Sequence, residues 1–144
     1  MIIRQAKAED IAALADIAVA GYRMGFADII GYDGLARFGR DVFAARFAQE
    51  WPSVAVAEEG ITILGFAEVR DGTLDMLFIA PSVARSGIGA RLLADAETRG
   101  AKKLECFRDN DGARRFYEKN GWRTTQSYSR EFAGIEHAFV AYEK

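Results

Sequence analysis

Two amphipathic helices are predicted in the first third of the chain from the spacing of its apolar residues. After an acidic turn, four apolar positions recur at i, i+3, i+4 and i+7, namely Ile11, Leu14, Ala15 and Ala18. Gly21 and Gly25 interrupt this pattern, so residues 22–34 are predicted to form an irregular loop or a short helix. Asp33 is a candidate N-cap for a second helix, whose apolar positions include Leu35, Phe38, Val42 and Ala45.

Beyond residue 53 the apolar period shortens to two, which is typical of strands. Predicted strands cover residues 1–5, 54–57, 61–70, 73–79, 103–107, 122–132 and 135–142. Helices are predicted at 88–99 and 112–120, each ended by a glycine. Asp71-Gly72 indicates a two-residue hairpin, because both central positions of that turn require a positive φ. The order β-α-α-β-β-β-α-β-α-β-β predicts an α/β fold with a mixed, mostly antiparallel central sheet flanked by helices.

The composition is that of a folded domain and excludes several classes of protein. The 144 residues are 50% hydrophobic with only 2 Pro, so we exclude a disordered chain and expect one domain over residues 1–144. A net charge of −2 argues against a nucleic-acid-binding surface. Cys106 is the single cysteine and no Cys/His cluster exists, so neither a disulfide nor a metal is expected. The single cysteine fits a reducing cytoplasm, which is the expected location. The N-terminal residues lack a signal-peptide core and charges interrupt every apolar run, so neither secretion nor a membrane span is expected.

A glycine-containing turn, Gly87-Ile88-Gly89, lies between the predicted strand 73–79 and the helix that follows it. Free N–H groups at a helix N-terminus attract anions, and glycines let a phosphate come close to the main chain. The P-loop motif is excluded because Ala90-Arg91 stands in place of its Lys-Ser/Thr, and the dinucleotide motif because Leu92 replaces its third glycine. By itself the turn indicates either an anion site or a tight strand-to-helix connection.

Two segments together resemble the sequence signatures of the GNAT (Gcn5-related) N-acetyltransferases. The first is Ile79-Ala80-Pro81, followed after five residues by Gly87-Ile88-Gly89-Ala90-Arg91-Leu92-Leu93. The second is the run from Asn110 to Trp122, with an alanine three residues after the asparagine, a Phe-Tyr-Glu-Lys stretch and a glycine before an aromatic residue. The resemblance extends to Ile3-Arg4-Gln5-Ala6 before the first helix, to the Asp71-Gly72 hairpin and to the final pair of strands.

This resemblance implies an acyl-CoA N-acyltransferase fold and acetyl-CoA as the co-substrate. In the family, the strand before Pro81 bulges and splays from the strand at 103–107, and the pantetheine arm lies in the gap. Cofactor contacts are thereby implied for Phe78, Ile79, Arg85, Ser86, Gly87, Ile88, Gly89, Ala90, Asn110, Ala113 and Tyr117. The sequence departs from the family at Ala84, where Gln or Arg is usual. Main-chain N–H groups from 85 to 90 can still bind the pyrophosphate, and Arg85 can supply the missing charge.

Tyr117 occupies the position of the family's general-acid tyrosine. A phenol with a pKa of about 10 is protonated at neutral pH and can donate a proton to a departing thiolate. The alternative for Tyr117 is a core aromatic, since it shares helical spacing with Ala113 and Phe116. Asn110 is either a cofactor contact or an N-cap, or both. A main-chain N–H near Phe78 or Ile79 is the implied donor to the oxyanion.

A base for the acceptor amine is predicted from strand pairing. In a two-residue hairpin closed by Asp71-Gly72, Glu68 faces Asp75, and opposed residues project from the same side of a sheet. Two close carboxylates raise the pKa of one of them, which makes Glu68 and Asp75 candidate catalytic residues. The alternatives are a solvated face near Arg70 and a water relay that needs no particular residue.

The leading hypothesis is an enzyme that transfers an acetyl group directly from acetyl-CoA to a primary amine of a small molecule or a peptide. The resemblance implies that the acceptor pocket is built in the region 22–32. The rival is a non-catalytic acyl-CoA-binding sensor or interaction module, which Ala84 favours and Asn110 and Tyr117 disfavour. The amine acceptor is the expected partner, without nucleic acid or membrane, and a homodimer is left open.

Overall fold

A seven-stranded sheet forms the centre of the structure, a computed structural model that describes residues 1–144. Its strands are β1 (Ile2–Gln5), β2 (Val54–Glu59), β3 (Thr62–Arg70), β4 (Thr73–Ile79), β5 (Lys103–Phe107), β6 (Arg123–Phe132) and β7 (Ile135–Glu143). The helices are α1 (Ile11–Ala36), α2 (Arg40–Glu50), α3 (Ile88–Thr98) and α4 (Asp111–Lys119). The strand order is β1-β2-β3-β4-β5-β7-β6, and β4–β5 is the parallel pair in an otherwise antiparallel sheet. The predicted fold class is therefore confirmed.

Helices cover both faces of the sheet and bury separate apolar clusters. On one face α3 packs Leu92 against the sheet in a cluster that also holds Trp122. On the other face α1 and α2 bring Phe43 and Phe47 against Phe66 of β3. No helix is long and apolar enough to cross a membrane. Because both faces are covered, a ligand that contacts helices on both sides must pass through an opening in the sheet.

The first helix is longer than predicted. α1 continues through Gly21 and Gly25 and is kinked at Gly31, where φ is +70°. Of the two alternatives for residues 22–34, the irregular loop is therefore wrong and the helix is confirmed, although it is joined to the first helix. A glycine inside a helix costs about 1 kcal/mol relative to alanine. Here the buried face of the helix continues past both glycines, and its burial outweighs that cost. The residues of this face include Leu14, Ala18 and Tyr22.

The second helix starts later than predicted. Asp33 lies inside α1 and caps nothing, because α2 begins after Gly39. The face that α2 buries carries Phe43 and Phe47, whereas Val42 of the predicted face is 50% exposed. The apolar pattern predicted one helix here because it combined residues of two helices: Leu35 belongs to α1, whereas Val42 and Ala45 belong to α2.

A bulge in the β3–β4 hairpin changes the predicted pairing of the two carboxylates. The turn itself is as predicted, with φ of +50° at Asp71 and +78° at Gly72. Val69 pairs with Leu74, but Glu68 pairs with Met76, so Asp75 is an extra residue on β4. The prediction that Glu68 faces Asp75 is therefore wrong.

The parallel strands β4 and β5 separate almost immediately. Their register holds at Thr73 and Lys103 only, next to N–H bonds from Lys102 and Lys103 to the carbonyl of Gly72. Beyond this point neither strand pairs with the other, which leaves an opening in the middle of the sheet. The splayed strands implied by the family resemblance are thus present.

Candidate active site

A cavity of about 440 Å³ occupies the opening between β4 and β5. Asn110, Ala113 and Tyr117 line it from the α4 side, and Tyr22 and Phe26 line it from the α1 side. The cavity therefore connects the two faces of the sheet. A pocket of this size, with apolar walls and a few polar groups, is typical of small-molecule sites.

The glycine turn presents free N–H groups at the start of α3. The first helical hydrogen bond runs from the N–H of Arg91 to the carbonyl of Gly87, so the N–H groups of residues 88–90 have no acceptor within the helix. Arg85 and Gly87 have positive φ values of 66° and 85°, which turn the chain into the helix. These N–H groups and the helix dipole suit an anion such as a pyrophosphate.

The two glycines of the turn have different roles. A Cβ added at Gly87 would have no atom within 4 Å, so the space in front of this residue is open. A Cβ at Gly89 would lie 3.4 Å from the ring of Phe116, which is ordinary packing distance. Gly87 therefore faces the open side of the turn, while Gly89 faces α4.

Two main-chain N–H groups of β4 face the opening. The N–H of Ala80 donates to the carbonyl of Leu64 on β3 at 2.8 Å, and hydrogen-bonded positions alternate along an antiparallel pair. The N–H of Phe78 accordingly points toward β3, whereas those of Leu77 and Ile79 point toward β5. Of the two predicted donors to the oxyanion, Ile79 thus directs its N–H toward the opening and Phe78 does not; the role itself stays a prediction. The sequence does not show that the N–H of Leu77 also faces the opening, because its direction depends on the strand register.

Tyr117 lines the cavity from α4 with a hydroxyl that forms no hydrogen bond in the protein. Its half-buried ring packs beside Trp122 and Tyr142, at centroid distances of 6.3 and 6.0 Å, so it is also part of the apolar packing. Burial raises the pKa of Tyr117 above its usual value. Tyr117 is therefore protonated at neutral pH and holds its O–H toward the cavity.

Asn110 is the N-cap of α4. Its Oδ1 accepts a hydrogen bond from the N–H of Ala113 at 3.2 Å, as the capping alternative predicted. Both residues also line the cavity, so the cap lies at its wall.

Cys106 of β5 also lines the cavity, but it is a poor nucleophile. Burial raises the pKa of the Cys106 thiol to about 11, so almost none of it is thiolate at neutral pH. A mechanism through an acetylated cysteine is therefore disfavoured.

Glu68 is buried in a network of charged side chains behind the cavity. It is 0% exposed, and its Oε1 accepts a hydrogen bond from Nη2 of Arg46 at 2.6 Å. Arg46 also donates through Nε to Oε2 of Glu50 at 2.9 Å. The other Glu50 oxygen accepts from Nη1 of Arg70 at 2.6 Å, and Nε of Arg70 donates to Oδ2 of Asp75 at 2.9 Å. The partner carboxylate of Glu68 is thus Glu50 rather than Asp75.

The surroundings of Glu68 change the pKa of its carboxyl group. Desolvation, reinforced by the carboxylate of Glu50, raises the pKa of Glu68 to about 7 against the opposing effect of Arg46. Oε2 of Glu68 is buried without a hydrogen-bond partner, which disfavours a negative charge on this carboxyl group. Desolvation also acts to raise the pKa of Glu50, but the neighbouring Glu68 and the charges of Arg46 and Arg70 hold it below the usual value.

The structure separates the two predicted bases. Asp75 lines the cavity, whereas Glu68 lies behind Arg46 and does not reach it. Sequence reasoning missed Arg46 and Glu50, although their i, i+4 spacing on α2 is a recognisable ion-pair signal. That spacing does not reveal which strand the pair faces.

Comparison with known proteins identifies the family. The model of the Acetyltransferase (GNAT) domain matches residues 26–144. The chain therefore belongs to the GNAT family, and its class of enzyme is an acyltransferase. This confirms the resemblance stated from the two sequence motifs.

Individual relatives agree with this assignment. The chain is similar to the uncharacterized N-acetyltransferase YhfO of Bacillus subtilis (strain 168), with 31% identity over 138 residues, which is 85% of this chain and 89% of YhfO. It is 35% identical over 85 residues to the peptidyl-lysine N-acetyltransferase YiaC of Escherichia coli (strain K12). That match spans 58% of this chain and only about half of YiaC, 55%.

A solved structure has the same fold. The PaiA N-acetyltransferase of Thermoplasma acidophilum, determined in complex with coenzyme A, superposes with a TM-score of 0.78. The alignment covers 99% of this chain and 98% of PaiA at 20% identity.

Proposed function

We propose that the protein transfers an acetyl group from acetyl-CoA directly to a primary amine. The observation that carries this proposal is the cavity through the sheet between β4 and β5, into which a protonated Tyr117 and the carboxylate of Asp75 both open. An acetyl donor bound on one face of the sheet can reach an amine bound on the other face only through such an opening.

The N–H groups at the start of α3 are our proposed site for the pyrophosphate of CoA. The proposal is supported by the open space in front of Gly87 and by the presence of coenzyme A in the PaiA complex. Ala84 supplies no charged side chain, so the main chain of residues 85–90 and the adjacent Arg85 carry this contact. The pantetheine arm would then follow the N–H groups of Ile79 and Leu77 into the cavity.

The transfer requires three groups of the protein to act on the reacting atoms. The neutral amine attacks the thioester carbonyl, a C–N bond forms, and the negative oxygen is stabilised by the N–H of Leu77 or Ile79. The C–S bond then breaks, and Tyr117 gives its proton to the leaving thiolate. Asp75 takes the proton that the amine nitrogen releases. The products are an amide and CoA, and the enzyme is restored when Asp75 releases a proton to solvent and Tyr117 takes one up from it.

Asp75 is the better of the two candidate bases because it is the one at the cavity. Its Oδ2 bonds to Arg70, and Oδ1 accepts no hydrogen bond from the protein. Glu68 acts through Arg46 and is a positioning residue in this proposal. Asp75→Asn should lower kcat/KM about 100-fold, the lower end of a general-base effect.

Thiol release from acetyl-CoA with a panel of amines tests the proposal. The panel contains small amines, amino acids and lysine peptides, the last because YiaC is named for peptidyl-lysine. Amine-dependent release of CoA supports the enzyme. Tight CoA binding without release for any amine would favour the non-catalytic acyl-CoA module instead. The cytoplasmic location stays a prediction.

A further inference from the structure

One wall of the cavity carries hydrogen-bond donors that have no partner. Tyr22 is 8% exposed and lines the cavity, and its hydroxyl makes no hydrogen bond in the protein. The hydroxyl is not among the fully enclosed polar atoms, so it opens into the cavity. The rings of Phe26, Phe38, Phe43 and Phe78 surround Tyr22 at centroid distances of 4.6 to 5.6 Å and fix its orientation. A fixed and nearly buried hydroxyl without a partner is a costly arrangement that a ligand can satisfy.

Two arginines beside Tyr22 have spare donors as well. Arg46 uses Nε and Nη2 for Glu50 and Glu68, which leaves Nη1 free. Arg70 uses Nε and Nη1 for Asp75 and Glu50, which leaves Nη2 free. Both arginines line the cavity.

The third arginine of the cavity lies on the opposite wall and is fully engaged. Arg130 donates through Nε and Nη2 to Glu105 and through Nη1 to the carbonyl of Glu131. Its guanidinium also stacks on the ring of Phe139 at 4.2 Å. Tyr117 offers its O–H from the α4 side. The spare side-chain donors away from α4 are those of Tyr22, Arg46 and Arg70, and we call the part of the lining formed by these three residues the donor wall.

Asp75 is a carboxylate in direct contact with the donor wall. Its Oδ1 is free, and its Oδ2 is 2.9 Å from Nε of Arg70. Because Asp75 and Arg70 are in direct contact, an amine bound by Asp75 and an oxyanion bound by Arg70 would be neighbours. A ligand whose amine and carboxylate share one carbon atom places these two groups side by side. The rest of the cavity is lined by aromatic rings, including Phe26, Phe78, Phe107, Phe132 and Phe139.

We infer that the acceptor is an α-amino acid with an aromatic or large aliphatic side chain, whose carboxylate binds Tyr22, Arg46 and Arg70. The inference rests on the proposed function for the acetyl transfer. The predicted binding of the amino acid does not depend on that function and can be measured without turnover. Guanidinium and phenol donors form short, charge-assisted bonds to a carboxylate. The amine then lies at Asp75, and the apolar side chain lies among the aromatic rings.

Equilibrium binding of three matched probes tests the inference. Phenylalanine, phenylalaninamide and phenethylamine share the ring and the amine, but only phenylalanine has the carboxylate. Calorimetric titrations at about pH 6.5, where an α-amino group is still protonated, are run with and without CoA. We expect phenylalanine to bind at least about 10-fold more tightly than the other two. Equal binding of all three, or no binding of phenylalanine, would overturn the inference.

Two variants and one control locate the carboxylate. Tyr22→Phe keeps the ring packing and removes one donor, and Arg70→Gln removes the spare guanidinium N–H. Each should weaken phenylalanine binding about 5- to 10-fold. Tyr22→Phe should leave phenethylamine within about 2-fold, whereas Arg70→Gln, which also removes the bond to Asp75, should weaken phenylalanine more than phenethylamine. Tyr32 ends the region 22–32 predicted for the acceptor pocket, but it is 87% exposed and does not line the cavity, so Tyr32→Phe should change neither. Selective binding that survives both variants would overturn the assignment of the donor wall. Selective binding without CoA release would instead contradict the proposed transferase reaction.

Discussion

Nη2 of Arg46 lies 2.6 Å from Oε1 of Glu68 and joins the end of α2 to the buried centre of β3. The contact brings a positive charge to a carboxyl group that water does not reach. It also fixes the guanidinium of Arg46 at the wall of the cavity. The packing of α2 on the sheet is thereby coupled to the shape of the proposed acceptor site.

The buried carboxyl of Glu68 should make stability depend on pH. Its pKa is raised from 4.5 to about 7, so between these values the folded protein binds more protons than the unfolded chain. The stabilisation from this group is complete below about pH 4.5 and is lost as the pH rises through about 7. Glu68→Gln mimics the protonated group and removes this loss. Denaturant unfolding should show the variant gaining about 1–3 kcal/mol relative to wild type between pH 5 and 8.

The exposed Glu59→Gln is the matched control for this measurement, since it removes a carboxylate from the β2–β3 turn. Glu59→Gln should leave the dependence of the free energy of unfolding on pH as it is in the wild type. A Glu68→Gln protein whose free energy of unfolding parallels the wild type over the whole range would show that Glu68 is ionised throughout.

Replacing Tyr117 with phenylalanine should separate catalysis from binding. The substitution keeps the packing against Trp122 and Tyr142 and removes only the proton donor. We expect kcat to fall roughly 10- to 1000-fold with CoA affinity unchanged. Steady-state kinetics and calorimetry measure the two effects, with Tyr32→Phe as the control. A wild-type kcat in the Tyr117→Phe variant would mean that Tyr117 contributes only to packing.

A bulky residue at Gly87 should weaken CoA binding strongly. Gly87→Val places a branched side chain in the open space in front of the α3 N-terminus and strains a backbone with φ of +85°. Gly60→Val carries the same kind of strain at φ of +61°, also in open space, but in the β2–β3 turn. Both variants should lose about 1–2 kcal/mol of stability. Only Gly87→Val should raise the Kd for CoA, by about 10-fold or more. Equal CoA affinities for the two variants would exclude this turn as the phosphate site.

Alanine at the two glycines of α1 should have opposite effects on stability. A Cβ at Gly21 would lie 2.2 Å from Cδ1 of Phe78, so the ring must move away from its place in the cavity wall. We expect Gly21→Ala to cost about 1–3 kcal/mol. A Cβ at Gly25 meets nothing within 4 Å, so Gly25→Ala should stabilise the helix by about 0.5–1 kcal/mol. Thermal unfolding of both variants checks this pair. Equal changes in Tm for the two variants would mean that the ring of Phe78 moves aside without loss of stability.

Local chemistry in the sequence was enough to determine the order of elements, the turns and the family. The Asp71-Gly72 hairpin and the Gly87 turn are predictable because they depend on backbone angles that few residues adopt. The capping role of Asn110 follows in the same way from its own neighbours. These features involve residues close together in the chain.

Features that join distant parts of the chain were decided by the tertiary structure. Asp75 became an extra residue because β4 must pair with β3 beyond the bulge, and the turn does not fix that register. α1 continues through Gly21 because this part of the helix is buried against Phe78, a residue far away in the sequence. Glu68 met Arg46 and Glu50 rather than Asp75 because α2 packs over β3. At each of these sites the free energy of packing outweighs the local conformational preference of the sequence. This packing arises only when distant parts of the chain come together in the folded protein.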